Sequence, residues 1–211
     1  APEKHNALDL DDIKRLREFV KICETLDLIA IVVTGVGKSF CSGVFLQNFT
    51  KNDWLINPLS LLCEELERCT AVSICSLNGG AYGGGVELAL SCDFRIGHSG
   101  TKITVPPARL GIHYEASGIA RSIRVLGSQI TRRLFLLAET FHSDKLLQYG
   151  FLDYLEKDKE SVDSKTCELI AVLSSVAPLA VKGMKKTINE VMQDRLDDDK
   201  AHQRVVECFD S

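Results

Sequence analysis

Hydrophobic and polar positions alternate along the first half of the chain in a pattern that predicts short buried strands between helices. The stretch 8–26 has apolar residues at helical spacing, and Asp11 is the predicted cap of that helix. Two continuous apolar runs, 29–33 and 71–77, are typical of buried strands. The other elements predicted in this half are helices at 59–66 and 86–90 and strands at 93–96 and 102–105.

The second half of the chain, after Pro106-Pro107, is predicted to be mostly helical. Its helical segments are 115–126, 129–138, 143–149, 164–175 and 178–195. Buried strands that alternate with helices favour an α/β core, and the helical end favours an appended helical layer. The acidic residues at 197–199 are predicted to form a solvated turn between helices.

Composition argues against several classes of function. The chain has 211 residues, which suits one domain or a domain with a helical appendage. Its net charge of -4 provides no basic stripe for a phosphate backbone, so nucleic acid is not an expected partner. No apolar run reaches about 18 residues, so we expect no membrane span. The expected location is cytoplasmic, with an organelle matrix as the alternative.

The cysteines and histidines do not form a recognisable disulfide framework or metal site. None of the eight cysteines makes a C-x-x-C pair, and the histidines other than His113 have no ligand-like spacing. Cys69, Cys75 and Cys92 lie in apolar surroundings, where a free thiol behaves as a small hydrophobic side chain. We therefore expect reduced cysteines, a reducing compartment and no metal.

A cluster of glycines at 79–85 follows one predicted strand and opens the predicted helix 86–90. Glycine permits backbone angles and a close ligand approach that a side chain would prevent. The first turn of a helix also presents unpaired N–H groups at the positive end of the dipole. The cluster lacks the endings of a P-loop and of a dinucleotide fingerprint. It therefore predicts an anion or oxyanion site, the alternative being a turn with tight helix–strand packing.

Glu87 is the candidate acid or base beside these glycines. It lies one turn into the predicted helix, with Val86 and Leu88 as its neighbours, and is expected to be partly buried. Burial raises the pKa of a carboxyl group toward the range useful for proton transfer. The alternative is a carboxylate that complements the helix dipole.

Five ordered stretches resemble the crotonase superfamily of enoyl-CoA hydratases and isomerases. They are 2–9, 40–46, 77–93, 105–111 and 177–180, and they keep the order and spacing of the family over nearly the whole chain. The resemblance implies an α/β fold, a spiral of β-β-α turns with a C-terminal helical region, usually assembled as trimers or dimers of trimers. It divides the chain into a spiral core, 1–155, with its first strand missing, and a helical region, 156–211.

The resemblance also implies a site. The N–H groups of Val44 and Gly84 would form an oxyanion hole for the carbonyl of an acyl-CoA thioester, and Glu87 matches the first of two glutamates used by the hydratases. Coenzyme A is expected only as part of the substrate, with no permanently bound cofactor. The other residues expected at the substrate are Ser42, Phe45, Leu46, Gly83, Pro107 and His113.

The chain departs from the family's hydratases at position 107. Their second glutamate stands twenty residues after the first, and Pro107 occupies that place here. Proline cannot exchange a proton, which counts against water addition by paired carboxylates. Tyr114 and Glu115 are candidates to replace the missing group, because relatives use this neighbourhood for alternative catalytic groups. A packing role for Tyr114 and a helix N-terminal role for Glu115 are the alternatives.

The sequence leaves three functions open. The first is an enzyme of the hydratase/isomerase type that stabilises a thioester enolate, with Glu87 as the main acid/base. The second is decarboxylation of a malonyl-type CoA thioester, in which Tyr114 orients the leaving group. The third is a catalytically silent member that binds acyl-CoA, suggested by Pro107. Lys182, Lys185 and Lys186 are candidates for contacts with CoA phosphates, or part of a solvated helix face.

Overall fold

The computed structural model describes residues 1–45 and 56–209. Its helices are α1 (Leu10–Thr25), α2 (Pro58–Arg68), α3 (Gly84–Leu90), α4 (Ala116–Leu136), α5 (Ser143–Gln148), α6 (Lys159–Ser175), α7 (Pro178–Met192) and α8 (Asp198–Phe209). Its strands are β1 (Ala30–Thr34), β2 (Ser39–Cys41), β3 (Val72–Ser76), β4 (Gly80–Tyr82), β5 (Phe94–His98), β6 (Lys102–Thr104), β7 (Phe141–His142) and β8 (Tyr154–Glu156). Short 3-10 helices span Pro2–Lys4 and Pro107–Leu110.

The strands form two four-stranded sheets, in the orders β1-β3-β5-β8 and β2-β4-β6-β7. The pairs are parallel except for β6 with β7, which is antiparallel. In each of the first three turns, one strand goes to each sheet and a helix then leads to the next turn; in the last, α5 lies between β7 and β8. The structure therefore has the predicted α/β spiral of β-β-α turns.

Two hydrophobic cores flank the first sheet. In β3, Ile74 and Cys75 point to opposite faces, as successive strand residues do, and they belong to different cores. The main core joins α1, α2 and α3 to the sheets, with Ile13 and Leu62 among its fully buried residues. The smaller core packs Val162 of α6 against the other face. Cys23, Cys41, Cys63, Cys69, Cys75 and Cys92 are buried and form no disulfide with one another.

The cap predicted for the first helix was wrong. Asp9, and not Asp11, is the N-cap of α1: its carboxylate accepts from the Asp12 N–H at 2.9 Å. The Asp12 carboxylate in turn accepts from the Asp9 N–H at 3.3 Å, which completes a capping box. The pattern of apolar residues fixes the buried face of a helix, but several nearby acidic residues compete for the cap.

Two other segments also differ from the prediction. The glycine cluster 79–85, predicted as an oxyanion site or a tight turn, contains the short strand β4, because its backbone pairs with both β2 and β6. Asp198 and Asp199 begin α8 and do not form a turn between helices. The predicted separation of the helices 115–126 and 129–138 is confirmed by Gly127, whose φ of 73° and ψ of 163° interrupt α4.

A buried cation joins α7 to the core. The Lys185 ammonium on α7 donates to the Ala71 carbonyl at 2.7 Å and lies 2.6 Å from the Asp93 carboxylate. Lys182 pairs with Asp27. Both side chains are thus engaged within the chain. Among the described residues, no single helix is long and apolar enough to cross a membrane; α6 and α7 qualify only together, bent by 110°.

Candidate active site

The first wall of the site is a loop that follows β2. Gly43 has a φ of 91°, and a Cβ there would lie 2.8 Å from the Tyr82 carbonyl oxygen and 3.0 Å from the Gly84 nitrogen. The backbone at Gly43 therefore touches the glycine turn. The loop is fixed on its other side because Leu8 donates to the Gly43 carbonyl and accepts from the Phe45 N–H, each at 2.8 Å.

The second wall is the turn between β4 and α3. Gly83 is the N-cap of α3, with a φ of 51°, and Gly84 is its first residue. A Cβ on Gly84 would lie 2.4 Å from a methyl of Leu59 and 3.6 Å from the Val44 nitrogen. Within the described residues, neither the Val44 nor the Gly84 N–H donates to a backbone carbonyl. In the part of the chain that the structure describes, the two amides are thus adjacent and have no backbone acceptor.

A cavity of about 120 Å³ opens between these two walls. It brings together most of the residues predicted from the sequence. Its lining consists of Ser42, Gly43, Val44, Asn57, Leu59, Gly83, Gly84, Glu87, Pro106, Pro107, Leu110, Ile112, His113, Tyr114 and Glu115. Most of this surface is apolar, and Glu87 and Glu115 are the carboxylates on it.

Two predicted substrate residues are not part of this lining. Phe45 follows Val44, and its ring lies 5.3 Å from the Lys4 ammonium, an arrangement typical of a cation–π contact. Leu46 lies outside the described residues. Their assignment to the substrate stays a prediction.

Glu87 is buried in α3, with 3% of its surface exposed, as the apolar residues around it predict. Its Oε1 accepts from Nη1 of Arg121 at 2.8 Å. Burial raises the pKa of Glu87, and the nearby charge of Arg121 partly opposes that rise. The carboxyl group is thus held between a desolvating pocket and a cation, which suits a group that gains and loses a proton.

The arginine that contacts Glu87 was not found from the sequence. Arg121 on α4 is 1% exposed, and its Nε and Nη2 donate to the two carboxylate oxygens of Glu67 on α2 at 2.8 and 2.9 Å. Arg124 also donates to Glu67, at 3.2 Å. A bidentate pair of this kind fixes the plane of the guanidinium group. The only sign of Arg121 in the sequence is that a charged residue lies on the apolar face of a helix.

Tyr114 and Glu115 lie where the chain enters α4. The Tyr114 hydroxyl donates to the Gly83 carbonyl at 3.3 Å, and the ring meets Phe135 edge-on at 5.0 Å between centroids. Burial raises the pKa of Tyr114 well above its usual value, so the hydroxyl stays protonated. Glu115 occupies the N-cap position of α4 without a side-chain cap bond. Tyr114 thus packs in the site and also touches its glycine turn.

No group of three His, Cys, Asp or Glu side chains suited to a metal ion occurs within 1–45 and 56–209. The polar groups of the cavity are backbone amides, carboxylates, a phenol and an imidazole. Such a set favours acid–base chemistry at a carbonyl compound.

Comparison with known proteins identifies the family. The sequence model described as enoyl-CoA hydratase/isomerase matches residues 1–208. The chain belongs to this family. A short-chain-enoyl-CoA hydratase of Clostridium acetobutylicum is 29% identical over 99% of this chain and 83% of the relative. A mitochondrial Delta(3,5)-Delta(2,4)-dienoyl-CoA isomerase of Mus musculus is 28% identical over 87% of this chain but only 62% of the relative.

Solved structures of the family share the fold. An enoyl-CoA hydratase from Bacillus anthracis superposes with a TM-score of 0.88 at 23% identity, covering 100% of this chain and 83% of that one. A putative family member from Hyphomonas neptunium gives a TM-score of 0.89 at 21% identity, covering 100% and 84%. The fold class expected from the sequence is thus confirmed, and the family membership makes the chain an enzyme of the hydratase/isomerase type.

Proposed function

We propose that the chain moves the double bond of an enoyl-CoA thioester by proton transfer, with Glu87 as the group that carries the proton. The observation on which this depends is that Val44, Gly84 and Glu87 line one cavity, while Pro107 occupies the position of the hydratases' second glutamate. CoA belongs to the substrate, and no permanently bound cofactor is required.

The two glycine-containing walls support an oxyanion hole. The Val44 and Gly84 amides lie side by side, and among residues 1–45 and 56–209 neither N–H donates to a backbone carbonyl. Gly84 also opens a helix whose first N–H groups carry partial positive charge. Donors fixed in this way stabilise the negative charge that develops on a thioester oxygen when an enolate forms. Removing one such donor typically costs about 3–4 kcal/mol of transition-state stabilisation.

The proposed step needs one base that later acts as an acid. The Glu87 carboxylate removes a proton from C2 of a 3-enoyl-CoA, and the electrons of that C–H bond form a C1–C2 double bond, leaving charge on the thioester oxygen. The protonated Glu87 then delivers its proton to C4. The electrons return from the oxygen, and the double bond lies between C2 and C3. No atom from water enters the product.

Isomerisation fits this lining better than hydration does. Hydration requires a second group that activates water, and Pro107 provides none. Glu115 is the other carboxylate on the cavity lining and we propose it as an assistant in proton transfer, with Tyr114 and His113 shaping the acyl site. The names of the relatives include both hydratases and an isomerase, which supports a reaction of the hydratase/isomerase type. The preference for isomerisation over hydration rests on the residues that line the cavity.

The assembly and location follow from the family as further proposals. A homotrimer or a dimer of trimers is expected, in the cytoplasm or in an organelle matrix. Ser42 and Gly83 line the cavity and, with Phe45 and Leu46, are proposed to contact the acyl-CoA.

A panel of 2-enoyl, 3-enoyl and malonyl-type CoA thioesters tests the reaction. We expect conversion of 3-enoyl-CoA to 2-enoyl-CoA, and a loss of about 10²–10⁴-fold in turnover for Glu87→Gln. Glu139→Gln removes an exposed carboxylate paired with Arg133 and is the matched control, expected to keep full turnover. Release of CO₂ would identify a decarboxylase, and tight binding without turnover a silent member. Full turnover in Glu87→Gln would refute the role of Glu87.

A further inference from the structure

Arg121 is the most completely buried charged side chain beside the cavity, and its three contacts fix it fully. Its Nε and Nη2 are bound by Glu67, and its Nη1 is left to donate to Oε1 of Glu87. Because a guanidinium group is planar, the bidentate bond to Glu67 determines where Nη1 points. Glu67 on α2 therefore orients Arg121 on α4, and Arg121 in turn orients the carboxylate of Glu87 on α3.

We propose that Arg121, held by Glu67, is the positioning residue that fixes Oε1 of Glu87 and leaves Oε2 as the oxygen that exchanges the proton. This inference rests on the proposed function of Glu87 and adds to it which oxygen reacts and which residues decide it. Neither Arg121 nor Glu67 is among the residues that line the cavity, so both act through Glu87.

The surroundings of Oε2 support its assignment. Gly118 lies one helical turn before Arg121, and a Cβ there would be 2.8 Å from Oε2 of Glu87 and 2.5 Å from the Tyr114 ring. The absence of a side chain at 118 thus leaves room for this oxygen beside Tyr114, a cavity residue. Oε1, in contrast, is held by a charge-assisted hydrogen bond and is a weaker proton acceptor.

Several charged or titratable groups face Glu87, and their effects have different signs. Arg121 on α4 lowers the pKa of Glu87, and Glu115 at the start of α4 raises it. Tyr114 lowers the pKa through its hydroxyl, while burial is the largest effect and raises it. From α2, the thiol of Cys63 lies close to Glu87, and Glu67 competes with Glu87 for the charge of Arg121.

This competition predicts shifts of opposite sign. Arg121→Gln removes a cation, so the pKa of Glu87 rises and the acid limb of the kcat/KM profile moves to higher pH. Glu67→Gln frees the charge of Arg121 for Glu87, so the pKa falls and the limb moves to lower pH. Nearby charges shift a carboxyl pKa by about 1–3, so each limb is expected to move by about one pH unit. A purely structural role would lower the active fraction without moving the limbs in opposite directions.

Arg121→Lys separates charge from position. Lysine keeps the cation but is a point charge that lacks the planar fork. The limb is therefore expected to stay near its wild-type pH while kcat falls at unchanged KM. Wild-type kcat in Arg121→Lys would overturn the positioning role. Should Arg121→Gln fail to fold, Arg124→Gln is the substitute. Without Arg124, the charge of Glu67 is neutralised by Arg121 alone, so Arg121 stabilises the Glu87 carboxylate less. The acid limb is then expected to move to higher pH by less than in Arg121→Gln.

Glu65→Gln is the matched control. Glu65 lies on α2 near Glu67 and also makes a bidentate pair, with Arg17 at 2.9 and 2.7 Å, but it faces α1. Glu65→Gln should leave the acid limb of the kcat/KM profile at its wild-type pH.

Exchange of the C2 protons of a saturated acyl-CoA in deuterated water reports the proton transfer without a completed reaction. No exchange in the wild type would defeat the proposed function of Glu87. A different result would overturn only the positioning role of Arg121. In that case the wild type exchanges the C2 protons, but the acid limbs of Arg121→Gln and Glu67→Gln move in the same direction or not at all.

Discussion

At the scale of single residues, Gly43 is required by two independent constraints. Its φ of 91° lies in a region that residues with a side chain rarely adopt. In addition, a Cβ at this position would press on the Tyr82 carbonyl and on the Gly84 nitrogen, which is one of the two proposed oxyanion donors. The conformational requirement and the functional one therefore coincide at one residue.

Gly150 allows the two constraints to be separated. Its φ is 74°, and a Cβ there would meet nothing within 4 Å. We expect Gly150→Ala to lower the free energy of unfolding by about 1–2 kcal/mol, because it places alanine at positive φ. Gly43→Ala should lower it by more, because its Cβ also meets backbone atoms. Only Gly43→Ala should lower kcat, by about 100-fold or more, since it separates the two amides. Denaturant titration and steady-state kinetics measure the two effects, and equal kcat values in both variants would contradict the placement of the oxyanion donors.

Residue-scale prediction succeeded where the chemistry lies in a contiguous motif. The glycine cluster, Glu87 and the spacing to Pro107 can all be read along the chain, and the structure brings them to one cavity. The sequence alone could not identify the pair Glu67 and Arg121, because these residues are 54 positions apart and meet only when α2 and α4 pack together. A buried ion pair between distant segments cannot be read along the chain, because a charge on the apolar face of one helix does not show which residue is its partner.

At the scale of elements, α4 organises one side of the site. Its N-cap is Glu115, its first turns contain Gly118 and Arg121, and the helix is interrupted beyond them at Gly127. Gly118 lies close to α3, because a Cβ there would lie 2.8 and 2.9 Å from atoms of the Glu87 carboxylate. At position 118, a residue without a side chain is therefore needed to leave room for the Glu87 carboxylate.

Two helical glycines should respond oppositely to alanine. In the interior of a helix, Gly→Ala stabilises by about 0.5–1 kcal/mol when the space is free. Gly183 on α7 meets this condition, since its Cβ would lie 3.8 Å from Arg204, and Gly183→Ala should raise the melting temperature. Gly118→Ala should lose this gain and also most of the turnover, because it displaces the Glu87 carboxylate. Thermal melts and kinetics test the pair; unchanged turnover in Gly118→Ala would show that the carboxylate has room to move.

The elements that could be predicted from the sequence are those that carry their own periodicity. Helices α1, α2 and α7 and the strands β1 and β3 were placed within a few residues. The strands β4, β7 and β8 have only two or three residues, too few to show an alternation. They are strands because neighbouring strands pair with them, and this pairing is a tertiary effect.

At the scale of the whole molecule, Asp93 links the spiral to the C-terminal helices. One oxygen of its carboxylate accepts from the Ser73 N–H at 2.7 Å and from the Ser73 hydroxyl at 2.9 Å, and it lies 2.6 Å from the Lys185 ammonium. Lys185 also donates to the Ala71 carbonyl. The start of β3, the end of α3 and the middle of α7 are thereby joined at one buried point.

Replacement of this lysine tests how strongly the joint holds α7. Lys185→Met keeps an unbranched apolar stem but leaves Asp93 and the Ala71 carbonyl without the ammonium group. Breaking a buried pair costs about 3–5 kcal/mol; because Asp93 is partly exposed and keeps its bonds to Ser73, we expect a loss of about 2–3 kcal/mol. Lys182→Met, one turn earlier on the same helix, removes an ion pair with the exposed Asp27 and should cost less than about 1 kcal/mol. Hydrogen exchange should show amides of α7 and α8 opening in Lys185→Met at a lower free energy than those of β3 and β5. Equal protection of α7 in both variants would mean that apolar packing alone holds the C-terminal helices on the spiral.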